Sequence, residues 1–406
     1  MKMAMKQTQT KLFDFSDVGL DFCAGSKNLF PDRFKKMLAL GYNEQTVSSV
    51  AVAGNQVTFT YGGTHSYVAD RVLKVNAPEL LSINGGEFVI DSVTANTVTM
   101  TIDGAPTSIA GNFTTKVASL GWSLEYENAN IHVYKFKHID DSDLYIRLFF
   151  CAITASSAKN HIIPCIGRSF DADTGVITDP NAYQVNASIT GWNVGHKWLF
   201  ESSPTTAYNN YNYSQGYSYF GRGVIIGSAY HLLIMSNMGN SNYLKSLVGI
   251  TPCFAHEYEN LNFPLLIAPY IDSQINGGSS SDYQVYNNRG QGVVGNFRVV
   301  FDKGATPTAP TASGSALPTA IDTFNTATAT PILLYEISTQ QNIGYVSSGL
   351  FVCQFATTNS PAVTHTTSPS LHIDIDTNSN LFVHPIYRDS NNMIFFAAPI
   401  EEVKIV

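Results

Sequence analysis

The chain has 406 residues, a formal net charge of −8 and only 13% charged residues, roughly half the usual share. Its densest basic stretch is Lys35-Lys36, which argues against a nucleic-acid-binding face. Apolar runs such as 148–153 are far too short to span a bilayer, so no membrane insertion is expected.

Thr, Ser, Asn, Gly and 21 Tyr take the place of charge. Such a composition suits sheet surfaces and faces that pack into an assembly, because charge is costly to desolvate at an interface centre. Residues 1–10 have no apolar core and do not read as a secretory signal. Cys23, Cys151, Cys165, Cys253 and Cys353 are odd in number and widely spaced, with no CxxC. They are expected to be buried free thiols in a chain that folds in a reducing cytosol, not a disulfide framework or a thiolate zinc site.

Residues 1–45 read as an N-terminal arm with a short helix. Pro31 suits a helix start and Gly41 a helix end, with Phe34, Met37, Leu38 and Leu40 as an apolar stripe. From residue 46 the period changes to two. Val57, Phe59 and Tyr61 share one face, as do Val98, Met100 and Ile102, with turn residues at Gly54-Asn55, Gly62-Gly63 and Gly85-Gly86. Residues 46–118 therefore read as a small β-module.

Residues 119–406 read as a larger β-sandwich domain, jelly-roll-like, so the fold class is mainly β. Strand runs are expected within 124–149, separated by the polar turn Asp140-Asp141-Ser142, and at 197–201, 223–227, 231–235 and 296–301. The charge-free Thr/Ala/Pro-rich stretch within 304–330 reads as a linker or exposed loop. Strands resume at 331–336, 349–355, 370–374 and 380–387, and the apolar ending from Met393 is strand-like.

Two segments carry a family resemblance. The run from Ser48 to Ile102, including His65-Ser-Tyr-Val-Ala-Asp-Arg-Val72 and Leu81-Ser-Ile-Asn-Gly-Gly86, resembles a small β-module of tailed-phage structural and fibre proteins. Leu120-Gly-Trp-Ser-Leu-Glu-Tyr126, Asn128-Ala-Asn-Ile-His-Val-Tyr-Lys135 and Leu144-Tyr-Ile-Arg-Leu148 are similar to the segment next to that module in a group of phage virion proteins. Asp171-Ala-Asp-Thr-Gly175 and Lys197-Trp-Leu-Phe200 continue the order, so the resemblance spans roughly 46–235. It implies a non-enzymatic structural subunit of the tail or baseplate, without cofactor, folded in the host cytoplasm before it joins the virion. Its partners would be other virion subunits and copies of itself in a ring-like assembly. A receptor- or glycan-binding tail-fibre or lectin-like module is the second expectation, and a glycan depolymerase the third.

Candidate chemistry is sparse. Tyr208, Tyr211, Tyr213, Tyr217, Tyr219 and Phe220 form the densest aromatic cluster, read as an inter-subunit contact. Asp171, Asp173, Thr174 and Asp179 are better explained by an Asx-capped turn than by a calcium loop, which would need an acidic residue at its twelfth position. His372, Asp374 and Asp376 alternate along one strand face, where solvent exposure explains them better than a metal. His256-Glu257-Tyr258-Glu259 begins like a zinc-protease helix, but Asn260 stands where the second His belongs. Glu201, Glu257 and Glu259 have the chemistry of glycosidase carboxylates, yet a surface role explains them better. Neither a metal nor a catalytic centre is expected.

Overall fold

In the computed structural model, antiparallel strands carry most of the regular structure. It describes residues 10–20, 29–77, 86–151, 161–191, 194–200, 223–237, 245–256, 258–270, 290–301, 324–326, 332–355, 367–374, 379–387 and 393–400. Strand β1 (Lys11–Asp14) comes first, then helix α1 (Phe30–Lys35), which runs on as a π turn over Lys36–Leu40. Phe34, Met37 and Leu38 are buried, as the apolar stripe predicts. Leu40 is not: it is 51% exposed, because a π turn takes more residues per turn than an α turn and carries Leu40 off the stripe. Gly41 ends the helix at φ +78°, where a Cβ would sit 2.5 Å from Val117 O.

Seven strands then form one sheet: β2 (Tyr42–Ala53), β3 (Gln56–Tyr61), β4 (Val72–Asn76), β5 (Glu87–Val89), β6 (Ser92–Val93), β7 (Thr97–Thr101) and β8 (Phe113–Val117). Their order is β5-β4-β8-β2-β3-β7-β6. The period-two pattern sets the register: Val57 opposes Met100 and Phe59 opposes Val98, and all four are buried.

A five-stranded sheet comes next in the chain, from β9 (Ser123–Asn128), β10 (Ile131–Lys137), β11 (Asp143–Phe150), β12 (His161–Gly167) and β13 (Trp198–Leu199), in the order β13-β12-β11-β10-β9. Pro164 lies inside β12 without breaking it. Its carbonyl accepts from Asn186 Nδ2 at 2.8 Å, so the backbone polar groups of this residue face away from β11. On that side β13 pairs only with His161 and Ile162, and the missing N–H interrupts no ladder.

The remaining strands are β14 (Gly223–Gly227), β15 (Leu232–Asn237), β16 (Lys245–Thr251), β17 (Cys253–Ala255), β18 (Leu265–Ile267), β19 (Gln291–Val294), β20 (Phe297–Val300), β21 (Phe324–Thr326), β22 (Leu333–Glu336), β23 (Asn342–Val346), β24 (Phe351–Phe355), β25 (Ser370–Asp374), β26 (Ser379–Tyr387) and β27 (Met393–Pro399). Ten strands form the central sheet, β1-β14-β15-β16-β18-β19-β20-β22-β23-β17, and β21-β24-β27-β26-β25 form the last one. Of the 304–330 stretch, only 324–326 falls within the described residues, as β21.

The central sheet curls. Strands β16 and β17 are separated by Pro252 alone, yet five strands lie between them in the sheet. The far edge must bend back to meet β16, and Thr251 Oγ1 donates to Ser348 O across that seam at 2.7 Å. Strands β14 to β16 are buried along their whole length, with β26 packed across β16. A single apolar core joins the N-terminal arm to all of these sheets.

The arm is tied down in three ways. β1 adds to β14 as an edge strand. Lys11 Nζ reaches Glu87 of β5 at 2.8 Å, and Arg71 grips Asp17 through two bonds of 2.8 and 2.9 Å.

Candidate functional site

The β10–β11 connection is a tight turn. His138 N donates to Ser142 O and Asp141 N to His138 O, both at 2.9 Å, with Asp141 at φ +63°. Asp is among the few residues that accept this left-handed conformation at small cost. Asp141 is pinned further by the Tyr230 hydroxyl, which donates to its Oδ1 at 2.7 Å. Asp140 Oδ1 accepts from Ser142 N at 2.9 Å and from Ser142 Oγ at 2.5 Å. This is Asx-turn chemistry, and it makes the turn rigid.

Opposite lies the chain leaving β17. His256 N still keeps to the ladder, donating to Ile343 O at 2.9 Å. The chain then turns, with Tyr258 N donating to His256 O and Leu261 N to Tyr258 O. Between the two segments is a cleft of about 360 Å³, lined among others by His138, Asp140, Phe254, His256, Tyr258 and Asn262. The volume falls within the range of small-molecule pockets, about 300–1,000 Å³.

Its walls combine open aromatic rings with polar groups. Tyr258 is 64% exposed and Phe254 38%. Phe254 is also the end of a row across three strands, since it opposes Tyr345, which opposes Leu333, and all three are exposed. The polar side is built on His138, only 4% exposed, whose Nδ1 lies 3.1 Å from Asp140 Oδ1. Neither ring nitrogen has a hydrogen-bond partner among the described residues.

Burial pushes the His138 pKa down, and the adjacent Asp140 carboxylate only partly opposes this, so the imidazole is neutral near pH 7. Partial burial alone would raise the Asp140 carboxyl. The Ser142 hydrogen bonds and His138 outweigh it and hold the carboxyl at about 2. Both ring nitrogens of this neutral imidazole are buried, and neither makes a hydrogen bond to a described residue.

The residues singled out in the sequence are placed differently. Tyr208, Tyr211, Tyr213, Tyr217, Tyr219 and Phe220 lie outside the described residues, as do Cys23, Glu201, Glu257 and Asp376. Asp171 is a turn residue: its Oδ1 accepts from Asp173 N at 2.8 Å and Thr174 N at 3.3 Å. Asp179 is buried and accepts from Arg168 N and Asn181 N. His372 pairs with Ser370 Oγ at 2.8 Å on β25, the strand that ends at Asp374. Among the described residues no group of three His, Cys, Asp or Glu is arranged to hold a metal.

Another polar cluster is structural. Lys245 of β16 is fully buried, donates to Asn237 Oδ1, and is pushed down to about 7 by burial. Asn237 donates to Ser368 O at 2.7 Å, and Ser368 Oγ meets His384 Nδ1 at 3.0 Å. This polar seam fixes β26 against the central sheet.

The fold thus defines a mainly β protein of packed antiparallel sheets with a cleft at the seam of a curled sheet. No protein-family model matches the chain, and no curated protein matches it. Among solved structures, it is similar to "Phage phi92 endosialidase", with a TM-score of 0.17 and 10% identity. The alignment covers 90% of this chain and 53% of that one, so the chain spans about half the length of that protein. A TM-score of 0.17 is too low to transfer topology or activity, and the cleft stands on its own geometry.

Proposed function

We propose that this chain is a structural subunit of a tailed-phage virion, in the tail or baseplate, acting through interfaces with other subunits and with copies of itself. The observation that carries this reading is the charge-poor sequence, 54 charged residues (23 + 31) in 406, on an all-antiparallel architecture. A surface of Thr, Asn and Tyr is cheap to desolvate against a neighbour, whereas Lys and Glu are not. The resemblance to phage modules over 46–235 supports the same reading. Mass spectrometry of gradient-purified particles is the test: the chain should be present in a fixed ratio to the other tail proteins, and its absence from particles would overturn the assignment.

A second reading, recognition of a glycan at the tail, is favoured by one specific observation. The cleft presents solvent-facing rings, Tyr258 and Phe254, beside the half-exposed Asp140 carboxylate. Such rings normally mark a binding surface.

A further inference from the structure

We infer that the chain cross-links itself: the Lys245 amine attacks the Asn237 carboxamide and forms an intramolecular isopeptide bond between β15 and β16, with loss of ammonia. This is covalent chemistry inside the central sheet, and it rests on neither functional reading above.

Register brings the two side chains together. Asn237 is the last residue of β15 and Lys245 the first of β16, and they are direct cross-strand partners, so both project from one face of the sheet. Lys245 Nζ donates to Asn237 Oδ1, so the amine already touches the carboxamide whose carbon it would attack. Asn237 Nδ2, the leaving nitrogen, donates to Ser368 O at 2.7 Å, which fixes the way the amide faces. Asn237 is 1% exposed and Lys245 0%, so bulk water is kept from both groups. Two reactive groups held in contact in a dry core need no further ordering to react.

An amine attacks only as the free base, and burial supplies that form. Lys245 is pushed down to about 7, so a large share of it is uncharged near neutral pH. In the reaction Nζ bonds to Asn237 Cγ and the bond from Cγ to Nδ2 breaks. The departing nitrogen takes up the proton that Nζ sheds and leaves as ammonia, so no oxidant or cofactor is needed. A base stands by to carry that proton. Ser368, which holds Asn237, meets His384 Nδ1 through its Oγ at 3.0 Å. Burial first, and then the charge of Lys245, keep this imidazole neutral. The product suits the site better than the reactants do, because an amide carries no charge and the cost of burying an ammonium disappears.

The test is mass spectrometry of the whole purified chain, incubated folded in neutral buffer, then denatured and digested with trypsin. An isopeptide on Lys245 blocks cleavage there, so residues 223–245 and 246–289 should stay joined in one peptide. That peptide should be lighter than its sequence by one ammonia, about 17 Da, and its fragments should place the link between Asn237 and Lys245. Lys245→Arg and Asn237→Ala remove the nucleophile and the acceptor in turn, and each should give two unlinked peptides of full mass. A wild-type digest cut normally after Lys245 would overturn the inference. So would a light 223–245 peptide released by that cut, because a succinimide at an asparagine also loses ammonia but leaves Lys245 free. The wild-type digest decides by itself, even where a variant fails to fold.

Discussion

The Asp17–Arg71 pair is the sharpest point at which to perturb the fold. Both side chains are almost wholly buried, at 6% and 8% exposure, and they tie the arm that carries β1 to the seven-stranded sheet. Asp17 also accepts from the Tyr42 hydroxyl at 2.8 Å and from Asp14 N at 3.1 Å. Asp17→Asn keeps the shape but strands a guanidinium that cannot shed its charge, and the pairing itself raises the Arg71 pKa against the opposing effect of burial. Breaking a buried pair by removing one partner costs about 3–5 kcal/mol. For a chain this long the unfolding entropy is roughly 0.9 kcal/mol/K, from about 2.1 cal/mol/K per residue. If the chain unfolds as one unit, Tm should fall by about 4–6 °C in a thermal melt. The double change Asp17→Asn with Arg71→Met removes both charges and should cost less than the single change, because no ion is left unpaired. A single variant that melts within about 1 °C of wild type, or a double variant that is simply additive, would refute the rivet.

Gly249→Ala should destabilise the chain by more than about 3 kcal/mol, measured by chemical denaturation, because its Cβ would lie within 1.9 Å of Leu232 O at φ +145°. Acid should weaken the fold before the carboxylates protonate. Burial holds His231 at about 3, and His196 and His132 at about 4, below the ordinary 6.5, so the unfolded chain takes up protons first. Their stabilisation is complete above 6.5 and drains as pH falls below it, so Tm should drop from pH 6.5 to about 5, less steeply in His231→Asn, and a flat profile would contradict it. Burial also pushes the Cys151, Cys165 and Cys253 thiols up to about 12, so a thiol reagent near pH 8 should label these three slowly in the native chain. The denatured, unreduced chain should then yield all five thiols, and a count of one or three would reveal disulfides.

Strands with one buried face were legible from alternation alone, as at 57–61, and fully apolar runs such as 223–227 were legible from their content. Several buried strands escaped, β18 among them, and two show why. The 161–167 run contains Pro164, which usually speaks against an inner strand, and only the short reach of β13 makes it tolerable. The 245–251 run begins with a lysine and contains Gly249, both of which read as surface or turn. Lys245 is buried because Asn237 receives its ammonium, and Gly249 is required because the β15 backbone passes too close for a Cβ. Both reasons are tertiary and leave no local mark. The cleft was half visible: Asp140-Asp141-Ser142 read as a polar turn and His256-Tyr258 as a broken zinc motif. Nothing in either segment says that they face each other.

Their meeting results from how the central sheet ends. A sheet that curls this far must either close into a barrel or protect its open edge. Here β17, the closing strand, is three residues long and pairs only with β23. After Ala255 the chain veers away through His256 and the 258–261 turn and returns to the sheet only at β18. The seam is therefore bridged near Thr251 and Ser348 and left open beyond Ala255. Into that opening the β10–β11 turn projects from the neighbouring five-stranded sheet, held to the β14–β15 hairpin by Lys137 N on Ala229 O at 3.0 Å and by Tyr230 on Asp141. The cleft is thus bounded by two rigid turns on separate sheets, and its rings stay exposed because no strand continues to cover them. The short strand is what leaves this packing seam open as a cleft.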